Sequence, residues 1–203
     1  MENRERNILE AATRVFLRYG VKRASMGDIA SEAGVARQTL YNLYANKDDI
    51  LRGSIRMFGY DAMAAIERDL AVGLSLRAQI ALVFEETALK PYRFLHASPN
   101  AHDLIEGYND AGRDEMNANY AAFRSVLARI LSPYETALAI RGLTSASLAE
   151  IAQRGAAAFK YQAMDEAHLS ALLDGLTSLV EAACGAGAAV GTSLEDTLEG
   201  ALR

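Results

Sequence analysis

Long amphipathic runs alternate with short polar punctuation along this chain. In "RNILEAATRVFLRYG" the apolar residues Ile8, Ala11, Ala12, Val15, Phe16 and Tyr19 recur at offsets of three and four and stop at Gly20. That spacing predicts an amphipathic helix ended by glycine. "SMGDIASEAG" follows, with Ser25 and Asp28 at capping-box spacing and Gly34 at its end, a helix of about two turns. A third helix, "ARQTLYNLY", must begin within a residue or two of Gly34. Helix, tight glycine-containing turn, helix is the sequence shape of a helix-turn-helix. Asn46 and Asp49 repeat the capping pattern and open a long helix from Lys47 to about Leu70.

Beyond Leu70, helices are predicted over 75–95, 100–107, 111–131, 145–163 and 166–184, with Pro91 expected to kink or end the first of these. "GAGAAVG" reads as a small-residue linker, after which Ser193 and Asp196 are placed to cap a short terminal helix. No convincing strand and no internal repeat is found. The expected class is therefore all-α: a three-helix head over 1–52 and a larger helical body over 53–203.

Charge divides the chain at the same place. The net charge of −5 splits into nine Lys/Arg against seven Asp/Glu over residues 1–52, or +2, and twelve against nineteen over the remainder, or −7. Only the head can tolerate a polyanion at close range. The single Cys184 excludes an internal disulfide and reads as a small buried hydrophobe, and the opening "MENRERNILEAATR" has no apolar signal core; a reducing cytoplasm is the expectation. No stretch approaches the length of a membrane span.

On a helical wheel of the third helix, Ala36, Leu40, Leu43 and Tyr44 cluster on one side while Gln38, Asn42 and Ala45 point the other way. Leu40, Leu43 and Tyr44 are expected in the head's core. Tyr41 and Thr39 flank the outer face, and Arg37 lies at its boundary. Amides can pair bidentately with adenine, so Gln38 and Asn42 are candidate base readers. Tyr41 and Thr39 suit phosphates, and Lys47 adds a cation where helix N–H groups already attract anions. Solvated polar residues on a surface helix are the alternative reading.

With these residues in place, the N-terminal fifty resemble the DNA-binding domain of the TetR family of bacterial transcriptional repressors. The likeness rests on "RNILEAATRVFLRYG" and "SMGDIASEAGVARQTLYNLYANKDDIL", which follow the family's pattern of Ile-Ala-x-x-Ala-Gly-Val, Thr-Leu-Tyr, aromatic, Lys and acid. It implies phosphate contacts from Thr39, Tyr41 and Lys47, with Arg37 and Gln38 near the bases. It also implies a helical regulatory domain that binds a small molecule and dimerises through its last two long helices. Ala36 departs from the family, standing where Ser usually caps the recognition helix, and Tyr44 stands where Phe is usual.

Residues 145–163 carry a small-residue apolar stripe (Leu148, Ile151, Ala152, Gly155, Ala158, Phe159) and 166–184 a larger one (Leu169, Leu172, Leu173, Leu176, Leu179, Val180, Ala183). Two such stripes can pack together and leave a face for the same pair from a second subunit, so a homodimer through 145–184 is expected, with intrachain packing as the alternative. Two-fold symmetry then calls for a palindromic double-stranded operator. Aromatic, Met and His residues crowd residues 57–123, and a mostly apolar pocket is expected to draw on Met57, Phe84, Tyr92, His102, Tyr120 and Phe123. His96 and His102 do not share a helical face, so no metal or other cofactor is expected. The sequence holds no Gly-rich phosphate loop, Cys-x-x-Cys, His-Glu-x-x-His or Gly-x-Ser-x-Gly, which argues against an enzyme. The expected function is a cytoplasmic repressor released from its operator by a small apolar or amphipathic effector. A DNA-binding dimer that senses a protein, or nothing, is the alternative.

Overall fold

The computed structural model describes residues 3–70, 73–97, 100 and 111–186. The predicted helix over 100–107, apart from Asn100, and the terminal helix capped by Ser193 and Asp196 lie outside them. Among the described residues every regular element is helical.

Helix α1 (Asn3–Tyr19) buries Ile8, Ala11, Ala12, Val15 and Phe16, while Tyr19, expected on the buried stripe, is 44% exposed with the Arg18 guanidinium over its ring. It sits at the helix end, where Gly20 turns the chain at φ 80°. Helix α2 (Met26–Ala33) begins with the predicted capping box: Ser25 Oγ accepts from the Asp28 N–H, and Asp28 accepts from the Ser25 N–H. The Ser25 hydroxyl and N–H together hold the Asp28 carboxyl below the usual carboxylate range. Gly34, at φ 65°, ends α2 in a left-handed conformation that favours glycine, and its N–H returns to Ser31.

Helix α3 (Arg37–Leu43) starts at Ala36 without a side-chain cap. Only Leu40 of this helix is fully buried; Leu43 is 42% exposed, contrary to the wheel. Leu43 is the last residue of the helix, which ends one residue before the expected Tyr44. Tyr44 takes an extended backbone (φ −136°, ψ 122°) and is half-buried against the head core by that turn.

Helix α4 (Lys47–Asp69) runs without a break across residue 52. Asn46 Oδ1 accepts from the Asp49 N–H at 2.9 Å, and Asp48 and Asp49 complement the positive end of the helix dipole. Its first half adds Ile50, Leu51, Ile55 and Met57 to the head core, which also takes Leu95, and its far end adds Ile66 to the body core.

The body continues through α5 (Leu76–Phe84), a π-helical turn (Glu85–Leu89) and α6 (Lys90–His96). Pro91 neither ends this segment nor stands at a break. It occupies the first turn of α6, where a missing N–H is tolerated, and the wider turn before it absorbs the mismatch. Next come α7 (Arg113–Leu131), a 3-10 turn (Ser132–Tyr134), α8 (Glu135–Ala139), α9 (Ser145–Gln162) and α10 (Glu166–Cys184). The 3-10 turn and α8 have no counterpart in the predicted elements; neither is long enough to show a period. Helices α7, α9, α10 and α5 enclose the body core around Phe84, Leu127, Leu131, Ala149 and Leu169. Cys184 lies in it, and burial pushes its thiol up.

Candidate functional site

Two surfaces concentrate chemistry. The first is the outer face of α3. Arg37, Gln38, Tyr41 and Asn42 are exposed, Tyr41 by 51%, and Thr39 is half-buried. Gln38 Nε2 donates to Asn42 Oδ1 at 3.0 Å, so the two amides stand as a pair one turn apart. Lys47 is half-buried: its ammonium donates to the carbonyls of Lys22 and Ala24, each at 3.2 Å. It thereby ties the start of α4 to the loop between α1 and α2 while keeping its charge beside α3.

The second is a cavity of about 560 Å³ between α4, the π turn, α6, α7 and α9. Phe58 of α4 and Phe94 of α6 meet across it with ring centroids 5.2 Å apart. Tyr120 and Phe123 of α7 also line it, as the sequence anticipated. The other anticipated residues stand elsewhere. Met57 is buried in the head core, Phe84 lines a much smaller cleft of about 10 Å³ next door, and Tyr92 is stacked on His96 at 3.9 Å in the body core. His102 lies outside the described residues. Sequence reasoning passed over Asp61, Asn119, Lys160 and Tyr161, all on the cavity wall. Only Lys160 carried a local signal, being set between Phe159 and Tyr161 at the end of an amphipathic helix.

Polar ties join this wall to the head. Arg6 of α1 grips the Asp61 carboxylate with both terminal nitrogens, at 2.9 and 2.7 Å. Asn119 Nδ2 donates to the Ile55 carbonyl of α4 at 3.0 Å. This approach requires Gly59: a Cβ there would overlap the Asn119 amide. Arg56 adds an ion pair to Glu115 at 2.8 Å. Helix α4 is thus fastened to α1 on one side and to α7 on the other. Among the described residues no group of His, Cys, Asp and Glu could hold a metal ion, and no helix is long and apolar enough to cross a membrane.

On α9 and α10, Ile151, Ala158, Gly175, Leu179 and Ala182 are left exposed, Ile151 by 53% and Leu179 by 70%. These small and apolar residues recur at helical spacing on two adjacent helices and stay exposed among the described residues.

Residues 8–53 match the model of bacterial regulatory proteins, tetR family. A curated relative, the uncharacterized HTH-type transcriptional regulator YezE of Bacillus subtilis (strain 168), is 32% identical over 79 residues, covering 39% of this chain and 41% of its own length. The match thus spans about two-fifths of that relative. A TetR transcription regulator from Haloarcula marismortui superposes with a TM-score of 0.70 at 17% identity, covering 90% of this chain and 98% of its own. The regulator FadR from Bacillus subtilis, in complex with stearoyl-CoA, does so with a TM-score of 0.57 at 18% identity, covering 92% and 99%. At such identities these structures establish the fold.

Proposed function

Through its N-terminal domain the chain belongs to the TetR family of bacterial regulatory proteins, and we propose that it is a ligand-responsive repressor that binds a palindromic operator as a homodimer. The observation that carries this reading is the linkage of cavity to head: Asp61, on the cavity wall, is held bidentately by Arg6 of the DNA-binding head. An occupant pressing on that wall displaces α4 and with it α3.

In this reading Gln38 and Asn42 meet base edges, with Arg37 beside them, and Thr39, Tyr41 and Lys47 meet phosphates. The exposed faces of α9 and α10 join two subunits in a four-helix contact, which sets the distance between the two α3 helices. Operator favours one such distance and the occupied cavity another, so each weakens the other's binding by the same factor. The structure of FadR with stearoyl-CoA supports a small amphipathic effector within this fold.

The test is a selection of bound sequences from a random duplex library, followed by titration of the enriched site. An inverted repeat should emerge. Lys47→Ala should weaken binding across sequences and flatten the salt dependence by about one phosphate contact, whereas Gln38→Ala should change the sequence preference. Enrichment of no site, or an unchanged salt slope in Lys47→Ala, counts against these assignments.

A further inference from the structure

Most charges on the cavity wall are already neutralised. Asp61 is held by Arg6, Glu86 by Lys90, and Arg68 by Asp69 at 2.7 Å. Lys160 is the exception. It is 5% exposed, and it makes no hydrogen bond or ion pair with any described residue. Its ammonium rests 4.9 Å from the Tyr161 ring centroid and 5.9 Å from that of Tyr120, both on the cavity wall. Its stem is buried while Nζ keeps accessible surface on the cavity wall, with only two aromatic faces and the C-terminal turn of α9 beside it. A cation placed so is open to pairing with an anion that enters the cavity.

The surroundings define the rest of that ligand. Phe58, Phe94 and Phe123 make one side of the cavity apolar. Tyr120 remains a neutral phenol, because burial and then the neighbouring Tyr161 hydroxyl push its ionisation up. Its hydroxyl therefore stays protonated on the same wall as Lys160. A volume of about 560 Å³ suits one small amphiphile.

We propose that the cavity takes an amphipathic monoanion, its apolar body among Phe58, Phe94 and Phe123 and its single charged head, a carboxylate or an equivalent acid, on Lys160. This rests on the reading of the cavity as the effector site. It goes beyond that reading in assigning the effector's charge and the residue that selects it.

The test is calorimetric titration of the full chain with three ten-carbon probes that differ only in the head: decanoate, decanol and decyltrimethylammonium. Decanoate should bind wild type at least about ten-fold tighter than the other two, the scale of a charge-assisted hydrogen bond. Lys160→Met should abolish that preference while leaving decanol affinity within about two-fold, and Lys160→Arg should keep it. Equal binding of decanoate and decanol by wild type, or a preference surviving in Lys160→Met, overturns the proposal and leaves the effector site standing. Failure of all three probes to bind wild type overturns both. If Lys160→Met does not fold, the wild-type series with the Lys160→Arg variant decides.

Discussion

The head and the body of this molecule are both helical, yet they bury polar chemistry in opposite ways. In the head, the side chains expected to act, Arg37, Gln38, Tyr41 and Asn42, stand outside a closed core and owe their direction to one short helix. In the body, Asn119, Tyr120 and Lys160 converge from α7 and α9 on a cavity that no single helix defines. A surface that reads a fixed polymer can be built from local rules. A pocket for a small molecule needs walls from several distant segments, so its residues are scattered along the chain.

The most severe break of that contrast comes from the head core. Leu40 is fully buried and is the only residue of α3 that is, so Leu40→Ala should cost about 2–5 kcal/mol of stability in the head. Urea unfolding followed by hydrogen exchange should find α1–α3 exposed while the α7–α9 packing stays protected. Equal loss of protection in both regions means that they unfold as one unit.

Leu179 probes the body from its outer face. It is 70% exposed, so Leu179→Glu should leave the monomer's melting temperature nearly unchanged. Sedimentation should show dimer dissociation strengthened by about 100-fold or more, with operator affinity falling in step. A dimer of unaltered strength would move the subunit interface away from α9 and α10.

The link between the regions is tested by exchanging Arg6→Gln and Asp61→Asn together, so that neither member of the clamp is left charged alone and only the longer, exposed pair of Arg6 with Glu10 is lost besides. Decanoate should still bind, but its effect on operator affinity should shrink by about 0.5–2 kcal/mol. Fluorescence anisotropy of labelled operator, with and without decanoate, reads the difference. An unaltered effect excludes this clamp from the coupling.

The smallest expected effect is a gain. Ala36 caps α3 with no side-chain acceptor, so Ala36→Ser should stabilise the head by about 0.5–1 kcal/mol, seen as a raised urea midpoint. No change would mean that the neighbouring turn already satisfies the free N–H groups of α3.

Much of the head was legible because its signals are local. The Ser25–Asp28 and Asn46–Asp49 caps and the glycine stops at Gly20 and Gly34 act within four residues of themselves, and the structure contains each of them. Leu43 and Tyr19 were misjudged at the last residue of their helices: both keep the helical period, but exposure there depends on what packs over the helix end, which a wheel does not record. The π turn lies immediately before the turn that holds Pro91, and the helix continues through it where proline alone predicts a break.

The cavity was another matter. Aromatic residues are needed for cores and for pockets alike, so composition brought Tyr120 and Phe123 to notice but gave no reason to separate them from Met57, Phe84 or Tyr92. Sequence by itself determined the helices, their caps and the polar outer face of α3, since hydrogen bonds within one turn and the 3.6-residue period fix those. Only the tertiary structure decided that Asp61 meets Arg6 across fifty-five positions and that Lys160 stands beside two tyrosines without a counter-ion among the described residues. Pairing and desolvation are properties of where distant segments meet, and no local pattern records them.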